Sequence, residues 1–184
     1  PNGNLAFCGR IQNYDKINKQ YEEQQGVFYL MDSLGNELWH LEYGDPINYE
    51  RIFDFTWDSD YNFYLAGQFL EPYIDGYFQG LLIKINGKGK IIWDKKYGKK
   101  EDLNGWLVIQ SKISNNLICI GGYNAADWMQ SYGGLEIGII DTSGVIVSDK
   151  KYFNSSIEPY DCVKDEQNNF ICAGLTTEPD GKKN

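Results

Sequence analysis

The chain has 184 residues, a formal net charge of −9 and an isoelectric point near 4.6. That balance argues against nucleic acid and anionic lipid as partners, because both require a basic surface. Aromatics make up 15% of the residues and glycine contributes 20 of them, a combination that suits strands joined by turns.

The best apolar run, Leu81 to Ile85, is interrupted by Lys84 and falls far short of the ~20 residues of a membrane-spanning helix. Direct membrane insertion is therefore not expected. Pro1 begins in mid-pattern with no signal peptide, so the absence of a targeting segment leaves export open.

Read from the N-terminus, one element recurs: Asn, four mostly apolar residues, then Gly. It appears as Asn4-Leu-Ala-Phe-Cys-Gly9, Asn62-Phe-Tyr-Leu-Ala-Gly67, Asn116-Leu-Ile-Cys-Ile-Gly121 and Asn169-Phe-Ile-Cys-Ala-Gly174. A second element lies between these. It runs from Asp32 through Gly35 to Trp39, from Asn86 through Gly89 to Trp93, and from Asp141 through Gly144 to Ser148. A trailing Tyr43-Gly44 and Tyr97-Gly98 decays to Tyr152-Phe153 in the third copy. Two independent anchors holding one period define a structural repeat.

Within the second copy, four segments read as strands: 51–57, 63–69, 80–85 and 90–97, each rich in β-branched and aromatic residues. The Asp-x-x-Gly link predicts a type I turn, with the carboxylate bonded back to the backbone and Gly at positive φ. The link from Asp58 to Asn62 is also short, so the four strands form an antiparallel meander.

Four-stranded units repeating at this length predict an all-β fold, a β-propeller of four-stranded blades. The blades fall at about 1–44, 50–98, 104–153 and 157–184: three strands, two sets of four, then two. A propeller closes with about 4–8 blades, so the expectation is that the chain is part of a longer ordered one. A flat sandwich would not require so strict a repeat.

With those residues in view, the repeat resembles a propeller repeat of surface and secreted proteins in Bacteroidota and some archaea. The segments Leu81-Leu-Ile-Lys-Ile-Asn86 and Gly89 to Gly98 carry the resemblance, with Asp58 to Gly67 matching its second half. The third copy departs from it at Ser148 and at Tyr152-Phe153. The chain is also similar to quinoprotein repeats, but its turn is one residue shorter and it has no cofactor-facing set.

The resemblance implies export to the cell surface or outer membrane, and a non-catalytic binding or scaffolding role that includes membership of an outer-membrane assembly. It carries over no catalytic residue, no metal and no cofactor. Trp39 and Trp93 are expected to pack between blades. Asp32-Ser-Leu34 also resembles a short O-glycan attachment sequence.

The meander sorts the links by side. Tight turns share one side. The longer links, 11–25, 45–50, 70–79, 99–104, 124–133 and 154–158, share the other, where binding concentrates on rigid scaffolds. Tyr14, Tyr21, Tyr73, Tyr77, Trp128 and Tyr132 lie in these links among acidic residues. That mixture suits a protein or glycan partner; the plainer expectation for any one of them is loop packing.

The enzymatic alternative is a polysaccharide-acting glycosidase or lyase built on paired carboxylates. A single histidine, His40, excludes most imidazole-based schemes. Asp58-x-Asp60-x-Asn62 starts like a calcium loop but lacks the central Gly and the bidentate Glu, and reads as a hairpin turn. Cys8, Cys119, Cys162 and Cys172 form no CxxC pair, so core thiols are expected. Cys162 and Cys172 lie nearly symmetric about a turn, and a disulfide between them is the alternative in an oxidising compartment.

Overall fold

A computed structural model describes residues 3–15, 17, 20–45, 47–70, 78–98, 102–104, 107–110, 116–125, 133–153, 156–167 and 169–177. They form strands and turns, with no helix among the described residues. The first sheet holds β1 (Leu5–Asp15), β2 (Gln20–Met31) and β3 (Glu37–Tyr43). The second holds β4 (Tyr49–Trp57), β5 (Phe63–Leu70), β6 (Phe78–Ile85) and β7 (Ile91–Tyr97).

The third sheet holds β8 (Asp102–Asn104), β9 (Leu107–Gln110), β10 (Leu117–Ala125), β11 (Gly133–Ile140) and β12 (Ile146–Phe153). The fourth pairs β13 (Ser156–Lys164) with β14 (Phe170–Thr177). Every pairing is antiparallel. The sheets hold three, four, five and two strands where three, four, four and two were expected; β8 and β9 both pair with β10.

The tight turns share one design. Asp32, Asp58, Asn86 and Asp141 each accept backbone N–H bonds through Oδ1 from the residues two and four places on. The N–H three places on bonds the first residue's carbonyl: Gly35 to Asp32 at 3.1 Å, Tyr61 to Asp58 at 3.1 Å, Gly89 to Asn86 and Gly144 to Asp141 at 2.9 Å. That third position takes positive φ: 85° at Gly35, 79° at Gly89, 80° at Gly144 and 60° at Tyr61.

Asn36, Asn62 and Asn169 close the carboxylate cage, each donating Nδ2 to the Oδ2 of Asp32, Asp58 and Asp165. These bonds, led by those from Asn36, Ser143 and Asn169, hold Asp32, Asp141 and Asp165 below the usual carboxyl range. Asp58 additionally accepts from the Tyr64 hydroxyl at 3.1 Å, so its acceptors serve the hairpin.

Among the described residues, Tyr61 is the one non-glycine at positive φ, at the turn position that Gly35, Gly89 and Gly144 hold. Tyr61→Gly is expected to stabilise the protein by about 0.5–1 kcal/mol through relief of that conformation. The change is read as a higher urea midpoint with unchanged slope. An unchanged or lower midpoint means that contacts of the half-exposed ring outweigh the backbone.

The recurring Asn-to-Gly element has a second use. In β4–β5, Ile52 opposes Gly67 and Asp54 opposes Ala66, leaving Phe53 as the bulged residue. In β13–β14, Pro159 opposes Gly174 and Asp161 opposes Ala173, leaving Tyr160 bulged. A Cβ on Gly67 would overlap the carbonyl oxygen of Arg51. The glycine therefore lets the bulged first strand approach the second.

Successive sheets lie against each other, chiefly through their first and second strands. β4 touches β1 and β2 of the sheet before it and β9 of the sheet after it, and β13 lies against β9, β10 and β11. The central strands β5 and β6 of the second sheet are therefore buried on both faces. Phe63, Leu65, Phe69, Leu81, Ile83 and Ile85 meet Phe28, Leu30 and Trp39 of the first sheet. Tyr64, Ala66 and Leu82 meet Leu117, Cys119 and Ile140 of the third. This is why β5 and β6 read as near-continuous apolar runs where a half-exposed strand would alternate.

Trp39 packs between sheets as expected. Its ring sits 5.5 Å from Phe28 and 6.0 Å from Phe63, and its Nε1 donates to the Gly87 carbonyl at 3.1 Å. A Cβ on Gly89 would lie 2.8 Å from the indole. Trp93 joins the cluster between the second and third sheets, 6.2 Å from Tyr64. There the turn glycine, Gly144, is covered instead by the Lys95 stem, with Lys95 Nζ and the Tyr97 hydroxyl donating to its carbonyl at 3.1 and 2.9 Å.

Candidate functional site

The antiparallel order puts the tight turns at one end of every sheet and the longer links at the other. Tyr14 and Tyr21, expected in a loop, are instead backbone register partners across β1–β2. Of the stretch expected as a loop over 11–25, residues 11–15 and 20–25 are instead the paired strands of a hairpin arm that reaches Asp15 opposite Gln20. It projects beyond β3, whose pairing begins at Gly26 opposite Tyr43. The polar composition of 12–15 and 20–25 hides these strands, which main-chain pairing sustains. Tyr73, Tyr77, Trp128 and Tyr132 lie outside the described residues, so no geometry links these four aromatics to one another or to the hairpin pair.

At this same end a polar seam runs between the first and second sheets. Gln24, buried on β2, accepts at Oε1 from Arg10 NH1 at 2.9 Å and from Arg51 Nε at 2.7 Å. Burial, then the neighbouring Arg10 charge, lowers the affinity of the Arg51 guanidinium for its proton.

Further out, Glu50 is 3% exposed, and its Oε2 has no hydrogen-bond partner among the described residues. The Asp45 backbone N–H donates to the carboxylate. The Glu50 carboxylate lies where a Cβ on Gly44, at φ 122°, would have to sit. Asn48 Oδ1 is likewise buried without a donor. Burial, reinforced by the Asp45 charge and opposed by Lys96, pushes the Glu50 carboxyl up to about 7.

Around it, Asp45 accepts from the Ile47 and Asn48 N–H groups at 2.8 and 3.0 Å and is held below the usual range, first by the Ile47 bond. The Tyr43 hydroxyl donates to Asp94 at 2.6 Å. Lys96 Nζ stands over the Phe69 ring, 3.2 Å from its centroid. Glu50 is thus a desolvated acid with one free acceptor, able to receive a hydroxyl, ammonium or guanidinium donor or to carry its own proton.

The sequence carries no signal for Glu50, whose place emerges only from the strand register. Glu50 opposes Phe69, two residues after Gly67. The same position holds Asn104 opposite Tyr123 in the third sheet and Ile157 opposite Thr176 in the fourth. The repeat does not require a carboxylate there.

The cysteines separate into two kinds. Cys162 and Cys172, directly opposite in β13–β14, form a disulfide, which settles the two alternatives against free thiols at this pair. Cys8 and Cys119 remain thiols. Burial, with the Asp54 charge, pushes Cys8 up to about 12 and Cys119 higher still, the state of inert core thiols. His40 is exposed and bonded to Glu37 at 2.6 Å, an ion pair that raises its proton affinity. Among the described residues no group of three or more His, Cys, Asp or Glu side chains is arranged to hold a metal.

Neither a scan against protein-family models nor a search of the curated proteins finds a match to this chain.

Proposed function

We propose that the chain is a non-catalytic binding or scaffold β-propeller unit of an exported, cell-surface protein, of the kind assembled at bacterial outer membranes, engaging a protein or glycan at the end that carries its longer links. One observation carries the propeller reading. The second and third sheets each lie between the sheet before and the sheet after in chain order, through β4, β9 and β13 and, at Gly89 and Gly144, through the turn glycines. Two-layer sandwiches pair sheets in opposition and leave outer faces to solvent; β5 and β6 of the second sheet have no such face. The disulfide supports the export reading, since such bonds persist in oxidising compartments.

The binding reading is supported by the seam described above. Among the described residues, buried Glu50 and Asn48 leave acceptor oxygens unmatched at this end, where native cores rarely leave any. A printed glycan array and reducing-end assays on soluble polysaccharides test it together. Binding that is lost in the double variant Tyr73→Ala/Trp128→Ala, without release of reducing ends, is the expected result. Turnover of a polysaccharide that disappears in Glu50→Gln would replace this reading with the enzymatic one.

A further inference from the structure

Of the 17 basic residues in the sequence two are arginines, Arg10 and Arg51, and the fold brings both to one oxygen. Arg10 reaches it from β1 through NH1 at 2.9 Å, and Arg51 from β4 through Nε at 2.7 Å. The oxygen is Oε1 of Gln24 on β2, a residue 7% exposed. The two guanidiniums therefore stand within a few ångströms of each other, in the seam between the first two sheets.

Bracing the sheets does not explain the second arginine. One donor suffices to tie Gln24 across the seam, and lysine supplies every other basic charge of the chain. A second guanidinium adds like-charge repulsion. Burial first, and the Arg10 charge next, disfavour the charged form of Arg51. Among the described residues Arg10 makes one hydrogen bond and no ion pair, so most of its planar N–H fork is unspent. A singly charged oxyanion seated there turns repulsion into attraction, and a planar carboxylate matches the guanidinium fork.

The surroundings favour one carrier for that carboxylate. At the same end Glu50 Oε2 and Asn48 Oδ1 are buried acceptors without donors among the described residues, and the Asp45 charge bears on Glu50. A peptide rich in Asp or Glu would press further carboxylates on these groups and on a chain of net charge −9. A sugar acid instead surrounds one carboxylate with hydroxyl donors, which unmatched acceptors can take.

We propose that Arg10 and Arg51 form an anion subsite that takes the carboxylate of an acidic sugar, a uronate within a glycan. The site presupposes the binding role proposed for this end and adds the charge of its ligand.

Two arginines give two Nε–H signals in a proton–nitrogen correlation spectrum, and Arg10→Lys removes one of them, which assigns both. The methyl glycosides of glucuronic and galacturonic acid, titrated into the intact protein, are expected to move both signals along one binding curve. Methyl glucoside and methyl galactoside, which lack the charge, should leave them in place at the same concentrations. Acetate and N-acetylglutamate amide carry the carboxylate without the ring of hydroxyls and should bind about tenfold more weakly. Arg10→Gln should weaken uronate binding by about tenfold or more. Arg51→Lys, which keeps the charge and loses the fork, should do so by a similar factor; Arg10→Lys takes its place should that variant lose its native circular dichroism. Signals that ignore the uronates, that respond equally to the neutral glycosides, or uronate binding indifferent to these substitutions overturn the proposal. So does equal affinity for N-acetylglutamate amide or acetate, which would assign the site to a peptide or a free anion. Capture of neutral glycans on the array with both arginine signals unmoved would sink this inference and leave the binding reading standing. A blank array with both signals moved by uronates would spare the anion site without the binding reading.

Discussion

Gly67→Ala is expected to destabilise the protein by about 3–5 kcal/mol, while Gly9→Ala changes it by no more than about 0.5 kcal/mol. The two glycines hold the same place in the repeat, so any rule based on sequence position alone would treat them alike. What differs is the neighbour. At Gly67 the new methyl would overlap the Arg51 carbonyl on the bulged strand β4, a backbone atom held by the ladder on both sides. Relief would require β4 to move away, opening the packing of Ile52 against Gly26, which already leaves no room for a Cβ on Gly26. At Gly9 nothing lies within 4 Å, because β1 has no strand on its far side among the described residues. The loss at Gly67 is a large part of the 5–15 kcal/mol that holds a domain together. Urea midpoints of the two variants at unchanged slope measure both. A large loss at Gly9 would show that β1 carries a further strand in solution.

Much of the fold is legible in the sequence because its anchors are local. An Asp or Asn followed by Gly three residues on dictates a turn through its own hydrogen bonds, and those turns fall where Asp32, Asn86 and Asp141 place them. The burial of Trp39 is legible for the same reason: its spacing from Gly35 repeats at Trp93 and Gly89. The occupant of the Gly144 turn is not, because Lys95 reaches it with an aliphatic stem that a pattern of apolar letters does not register. The hairpin arm at 11–15 and 20–25 escapes because its pairing is satisfied by the main chain, with few apolar residues to mark it. Glu50 escapes for the opposite reason. Its significance comes from burial, and a glutamate beside a Tyr-Gly turn reads as surface until the register sets it against Phe69 and Gly44.

Stability is expected to fall as pH rises from about 4.5 to about 7, and Glu50→Gln to remove most of that slope. The folded-state carboxyl is held near 7 against 4.5 for the unexcluded group, first by burial and then by Asp45. Between those values the native state binds more protons at Glu50 than the unfolded chain does, so each step up in pH favours unfolding. Below 4.5 both states are protonated and the penalty is absent; above 7 both are ionised and it is complete. Even with partial compensation by Lys96, the difference between the two plateaus is about 2–3 kcal/mol. Glutamine keeps an oxygen for the Asp45 N–H and carries no charge, so the variant should match wild type at pH 4 and exceed it at pH 8 by about that amount. Chemical denaturation across this range at constant ionic strength measures it. The lowered carboxyls of the turns pull the other way, losing their stabilisation only as pH falls below the ordinary carboxyl range, and both proteins share them. Parallel curves for wild type and Glu50→Gln would mean that the Glu50 carboxylate is neutralised in the native protein by a donor. The acid would then be a filled site, not an open one, and the claim that this end of the molecule awaits a partner at Glu50 would fail with it.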